Sequence, residues 1–105
     1  MIVEVRTYTF HSGMMARYLE AFRRVGFTLQ REYLGEPVAF LVSETGPIEQ
    51  VVQIFRYADW TERDRRRAAL WADPRFQAMS EELHPLIKDK TSQILRDVAT
   101  TPAAS

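Results

Sequence analysis

The chain contains no cysteine. That excludes disulfide staples, thiolate nucleophiles, thiolate metal sites and iron–sulfur ligation, and it fits a reducing compartment. Histidine is nearly as scarce: only His11 and His84 are present, both in expected turns, and no third ligand is spaced to complete a metal site with them. No metal, haem or other cofactor is expected. The four glycines, at positions 13, 26, 35 and 46, are isolated, so there is no glycine-rich phosphate loop. Ser12, Ser43, Ser80 and Ser92 lack a histidine–carboxylate partner or a Gly-x-Ser-x-Gly setting, which argues against acyl transfer. No apolar run approaches the length of a membrane span. The N-terminus opens on the charged, alternating Met1-Ile2-Val3-Glu4-Val5-Arg6 rather than on a leader-like apolar stretch. Lys+Arg and Asp+Glu both number 14, and a net charge of zero gives nothing to steer the protein to nucleic acid or an anionic membrane. A cytoplasmic protein without nucleic-acid or membrane partners is the expectation.

What remains is ordinary for a globular domain: 105 residues, enough for one core, with 46% hydrophobic side chains to fill it. Ile2 to Phe10 alternates with period two, a strand signature. Ser12 is positioned to cap the helix that follows. From Met14 to about Leu34, Met15, Tyr18, Leu19, Phe22, Val25 and Leu29 recur at spacings of three and four, along one helix face. Gly26 interrupts that helix and predicts a kink or a close packing contact, and Gly35 with Pro37 stops it. Val38–Val42 and Val51–Phe55 form a hairpin around Gly46-Pro47. Asp59 and Glu62 resemble a capping box opening a second helix, and Asp73-Pro74 opens a third, which Pro85 ends. Leu86 to Arg96 supplies the last strand. The expected domain is therefore 1–97, with a frayed tail at 98–105.

This order predicts an α+β, ferredoxin-like βαββαβ fold. Its four-stranded antiparallel sheet runs 4-1-3-2, with helices on one side only. Val3, Val5, Val52 and Ile54 make the apolar side expected to meet the helices. The other side then displays Glu4, Arg6 and Tyr8 beside Val51, Gln53, Phe55 and Tyr57. A half-aromatic face of that kind, left in water, is unusual for a monomer. Covering it with the same face of a second copy gives a homodimer, a dimeric α/β barrel closed by a two-fold axis.

Three stretches resemble the NIPSNAP family. Gly46-Pro47-Ile48-Glu49-Gln50-Val51-Val52-Gln53-Ile54-Phe55 is similar to that family's Gly-Pro-Leu-Asn-Gln-Val-Val-His-Leu-Trp hairpin. Asp64 to Pro74, with Arg65-Arg66-Arg67-Ala68-Ala69-Leu70 at its centre, is similar to the family's arginine-rich helix before an Asp-Pro pair. Glu4-Val5-Arg6-Thr7-Tyr8-Thr9 matches its opening strand. The resemblance spans nearly the whole chain and implies a dimeric α/β barrel with no established activity. Gln53 stands where the family often has histidine, and Phe55 where it often has tryptophan, so chemistry that relies on that histidine does not carry over.

The candidate site is the face bearing Glu4, Arg6, Tyr8, Gln53 and Tyr57. It has two readings: a satisfied polar network in the dimer core, or a pocket for a small organic molecule. If catalytic, the pocket works by proton transfer or oxygenase-like chemistry through Arg6, Tyr8 and Tyr57. The rival is a non-enzymatic protein-interaction module whose partners bind the arginine-rich helix or the loops. Arg63, Arg65, Arg66 and Arg67 read as a solvated or salt-bridged helix face, because Arg66 follows Glu62 by four residues and twelve of the fourteen basic residues are arginine. Trp60 and Trp71, flanking that helix, read as packing or interface residues.

Overall fold

Alternation over Ile2–Phe10 becomes strand β1, the spine of the sheet. A computed structural model describes residues 1–103 of the chain. After β1 come helix α1 (Met15–Ala21), a π-helical turn (Phe22–Gly26) and helix α2 (Phe27–Leu34), which form one interrupted rod. Strands β2 (Ala39–Val42) and β3 (Gln50–Tyr57) make the hairpin. Helices α3 (Trp60–Ala72) and α4 (Pro74–Leu83) follow, then a 3-10 turn (His84–Leu86) and strand β4 (Ile87–Arg96). The sheet order is β2-β3-β1-β4, antiparallel throughout. No described helix is long and apolar enough to cross a membrane. Of the expected tail, residues 98–103 carry no helix or strand, and 104–105 lie outside the described residues.

The sheet presents its two faces the opposite way from the sequence expectation. Glu4, Phe10, Val51, Gln53, Phe55 and Tyr57 are the buried strand residues, and they meet the helices. Val3, Val5, Val52 and Ile54 face away and are only half-buried, flanked by Leu41 and Leu95 at 50% and 43% exposure. Alternation separates the two faces but does not say which one the helices cover. Here the bulkier row wins, since Phe10, Phe55, Tyr57 and Val51, with partly buried Tyr8, give the helices more area to bury than four β-branched side chains do. The charges in that row are tolerated because α3 brings their partners.

Helix starts follow local chemistry, with one exception. The Asp59 side chain accepts from the Glu62 backbone N–H at 2.8 Å, while Glu62 accepts from the Ala58 N–H. Asp73 accepts from the Arg75 N–H at 2.8 Å and takes the Tyr33 hydroxyl at 2.7 Å, which ties the start of α4 to α2. Ser12 does not cap α1. Met14 holds the N-cap position without a side-chain bond, and the Glu49 carboxylate accepts from the Met15 N–H at 3.0 Å. A distant hairpin residue therefore supplies the cap, and spacing along the chain gives no hint of it. Glu49 adopts a left-handed φ of 56° there.

The Gly26 expectation resolves into a close contact. The rod continues through it, but one π turn inserts an extra residue between Phe22 and Gly26. A Cβ at position 26 would lie 2.6 Å from Cδ1 of Phe22. That ring is locked against Tyr18 and Phe40, with centroids at 4.6 and 5.5 Å. In an ordinary helix Gly→Ala stabilises by up to about 1 kcal/mol. Gly26→Ala should reverse that sign and destabilise by about 1–3 kcal/mol through overpacking, measured by urea unfolding; a stabilised variant would show that the contact is not binding.

Candidate functional site

β1 sets Glu4, Arg6 and Tyr8 in one row facing the helices, and the register places Arg6 opposite Gln53 on β3 and Ser92 on β4. Glu4 is fully buried. Its Oε2 accepts from Arg6 Nη1 at 3.0 Å, from Arg63 Nη2 at 2.8 Å and from the Ser92 hydroxyl at 2.6 Å. Arg67 Nη1 lies 3.8 Å from Oε1, an ion pair without a hydrogen bond. Burial alone would push the Glu4 carboxyl up. The bonds from Arg63 and Ser92 and the fields of Arg67 and Arg6 outweigh it and hold the group at about 2.

Arg63 and Arg67 are thus not part of a solvated face, whereas the expected Glu62–Arg66 pair forms. Arg63 and Arg67 recur at i, i+4 with Leu70 three further on, and all three turn inward. Arg66 pairs with Glu62 at 2.8 Å and reaches the Tyr33 carbonyl. That leaves Arg65 as the cluster's exposed member.

Between sheet and helices lies a cavity of about 70 Å³. Arg6, Tyr8 and Gln53 of the expected site line it; Glu4 and Tyr57 do not. The Tyr8 hydroxyl accepts from Arg6 Nε at 2.9 Å, which leaves its own proton to donate. Gln53 accepts from Gln30 Nε2 at 2.8 Å and donates to the Tyr18 hydroxyl at 2.6 Å, a buried polar chain across three elements. Burial pushes the Tyr18 hydroxyl up, so it remains a proton donor. Tyr57 is buried with its hydroxyl beside Arg67, in no hydrogen bond of acceptable geometry. Burial and the nearby Glu4 carboxylate raise its pKa.

Leu70, Phe76, Met79 and Leu83 supply the apolar wall, and Trp71, Ser80, His84 and Lys90 connect the cavity to an adjoining open groove. His84 and Trp71 therefore join the site, contrary to their reading as plain loop and packing residues. From the sequence, Tyr18 falls on a helix stripe and Arg67 on a helix face rather than in the site, and Gln30 is not singled out. The available signal was the i, i+4, i+7 alignment of Arg63, Arg67 and Leu70. Leu70 is the one residue of α3 that is fully buried, and it fixes which side of the helix is inside. Among the described residues no three His, Cys, Asp or Glu side chains gather as a metal-binding group. The arrangement can hold an anion, donate protons to it and enclose an apolar body.

Residues 3–102 match the model of a family described as NIPSNAP. The chain is 29% identical to a putative NipSnap protein of Caenorhabditis elegans over 94 residues, 90% of this chain but 18% of that protein. It therefore spans under a fifth of the relative's length. A NIPSNAP family protein from Agrobacterium tumefaciens superposes with a TM-score of 0.90 at 34% identity, with 98% of each chain covered. A putative antibiotic biosynthesis monooxygenase from Nitrosomonas europaea superposes with a TM-score of 0.69 at 14% identity, over 94% of this chain and all of that one. At that identity the likeness is one of fold alone.

Glu4→Gln removes the one carboxylate among three guanidiniums and should destabilise the fold by about 3–5 kcal/mol, read by urea unfolding at pH 7. The Glu4 pKa is lowered from 4.5 to about 2. Its contribution is therefore complete above pH 4.5 and is lost as pH falls through 2. The gap between wild type and variant should narrow over that interval; a gap that does not change with pH would sink this assignment.

Proposed function

The chain belongs to the NIPSNAP family, and on that premise we propose that it binds a small organic molecule in the cavity between sheet and helices, as a homodimer. The observation that carries the reading is the cavity itself. Arg6, Tyr8, Arg67 and Gln53 line one part of it and apolar side chains another. Packed cores rarely leave such a void beside unneutralised donors. Glu4 satisfies one nitrogen of Arg6, so the pair has a structural role, yet Arg6 also lines the open space. On this reading the Glu4 contact holds the row inside the protomer, while the rest of the Arg6 guanidinium serves the ligand. The interaction-module alternative places partners on the arginine-rich helix or the loops. On the helix, Arg63 and Arg67 turn to Glu4 in the interior and Arg66 is paired with Glu62, which leaves little of a free basic face.

Binding is tested by a nitrogen-15 NMR titration with a mixed set of small carboxylates and phenols. Shifts should concentrate at Tyr18, Gln53, Leu70 and Met79. Shifts confined to exposed loops would remove the cavity from consideration.

The homodimer rests on the outward sheet face, where half-buried Val3, Val5, Val52 and Ile54 adjoin Leu41 and Leu95, roughly half exposed. Contiguous apolar surface of this kind favours self-association, and a two-fold axis buries the same patch on both copies. Light scattering should report about twice 12.2 kDa at micromolar concentration, and Ile54→Arg should halve it. A monomeric wild type would refute the dimer without touching the binding proposal.

A further inference from the structure

Every charged side chain lining the cavity is a cation. Arg6, Arg67 and Lys90 contribute to its surface, His84 stands at the mouth, and no Asp or Glu takes part. Just outside the lining, one carboxylate serves three guanidiniums. Glu4 binds Arg63 and Arg6 through the same oxygen, and Arg67 stands 3.8 Å from the other. Arg63 has Asp64 as a second partner at 2.9 Å. Arg6 and Arg67 share what is left of Glu4, with side chains only 17% and 14% exposed. Two largely buried guanidiniums that share less than one full counter-charge are short of an anion.

We propose that the cavity selects a small organic carboxylate with an aromatic or branched aliphatic body, its head held by Arg6 and Arg67. This rests on the reading of the cavity as a binding site and gives it a chemical class. Planar guanidinium forks match a carboxylate's two oxygens. The Tyr8 hydroxyl already accepts from Arg6 Nε, so its proton is free for a further acceptor, which a carboxylate oxygen provides. Phe22, Leu70, Phe76, Met79 and Leu83 then face the body of the ligand. An inorganic dianion places no apolar surface against that wall and costs more to desolvate. An enclosed cavity of about 150 Å³ holds a benzene ring. The 70 Å³ here therefore takes the head and adjoining carbons, with the remainder extending past Trp71 into the groove that Trp71, Ser80, His84 and Lys90 share with it.

The test is isothermal titration calorimetry at pH 7 on the full chain, with benzoate and isovalerate against benzamide, benzyl alcohol and inorganic phosphate. The acids should bind about tenfold or more tighter than their neutral counterparts and than phosphate. Arg67→Met should weaken benzoate by about tenfold and leave benzamide unchanged, and Arg67→Lys should recover part of the loss. If Arg67→Met does not fold, the acid-to-amide ratio on wild type decides. Equal affinity for benzoate and benzamide would overturn the carboxylate assignment and leave the cavity as a binding site. Tighter phosphate binding would overturn the chemical class. Binding of no compound of either charge would bring down the cavity reading together with this one.

Discussion

The carboxylate of Glu4 is fully buried and nevertheless ionised, because four groups from three elements stabilise its charge. Arg6 comes from the same strand, Ser92 from β4, Arg63 and Arg67 from α3. An isolated carboxylate in such a place would take up a proton. This one is held at about 2, so the anion is the stable form and the cations have a reason to stay inside. The consequence is geometric. α3 cannot roll on the sheet without pulling Arg63 or Arg67 off Glu4, so its inward face, with Leu70, is fixed. The cavity wall is therefore positioned by electrostatics as much as by packing. A wall built from aliphatic side chains alone would be free to close the void.

The other wall depends on backbone rather than charge. The π turn at Phe22–Gly26 shifts the phase of the helical rod by one residue. Tyr18 before it, Phe22 at its first residue and Gln30 after it can then all address the sheet. An unbroken α-helix would rotate Gln30 out of line with Tyr18 by about 100° relative to this arrangement. The Gln30–Gln53–Tyr18 chain would be lost, and three buried polar groups would be left unpaired. Gly26 makes the turn possible, since no side chain at that position avoids the Phe22 ring.

Element order, strand pairing and two of the three helix caps were legible in the sequence because they rest on local signals. Alternation in Ile2–Phe10 and the Asp59 and Asp73 caps each lie within a few residues of what they determine. The cap from Glu49 to Met15 was not legible, because it spans 34 residues and arises only once the hairpin is folded. The orientation of the sheet was misread for a related reason. Counting hydrophobic side chains favoured the valine row, while the buried row owes its place to bulk and to arginines contributed by a distant helix. Arg6, Tyr8 and Gln53 were picked out as a group because they share a face, which period two does specify. Arg67 was passed over because a run of arginines reads as surface until Leu70 fixes which side is inside.

The misassigned face carries its own lesson about the division of labour in this fold. Successive residues of β1 serve opposite sides: Glu4, Arg6 and Tyr8 look into the protomer, Val3, Val5 and Thr7 away from it. A polar inward row needs its partners within the same chain, and α3 supplies them. An apolar outward row needs only surface, which a second copy can offer with the same row. On β1, therefore, the charged side chains face inward and the valines outward, while the core around them stays predominantly apolar. The buried carboxylate is sustainable because Glu4 draws its partners from its own chain, so its cost does not depend on a second copy. The two faces of β1 are thereby separable, since substituting a side chain on one leaves the hydrogen-bond partners on the other where they were.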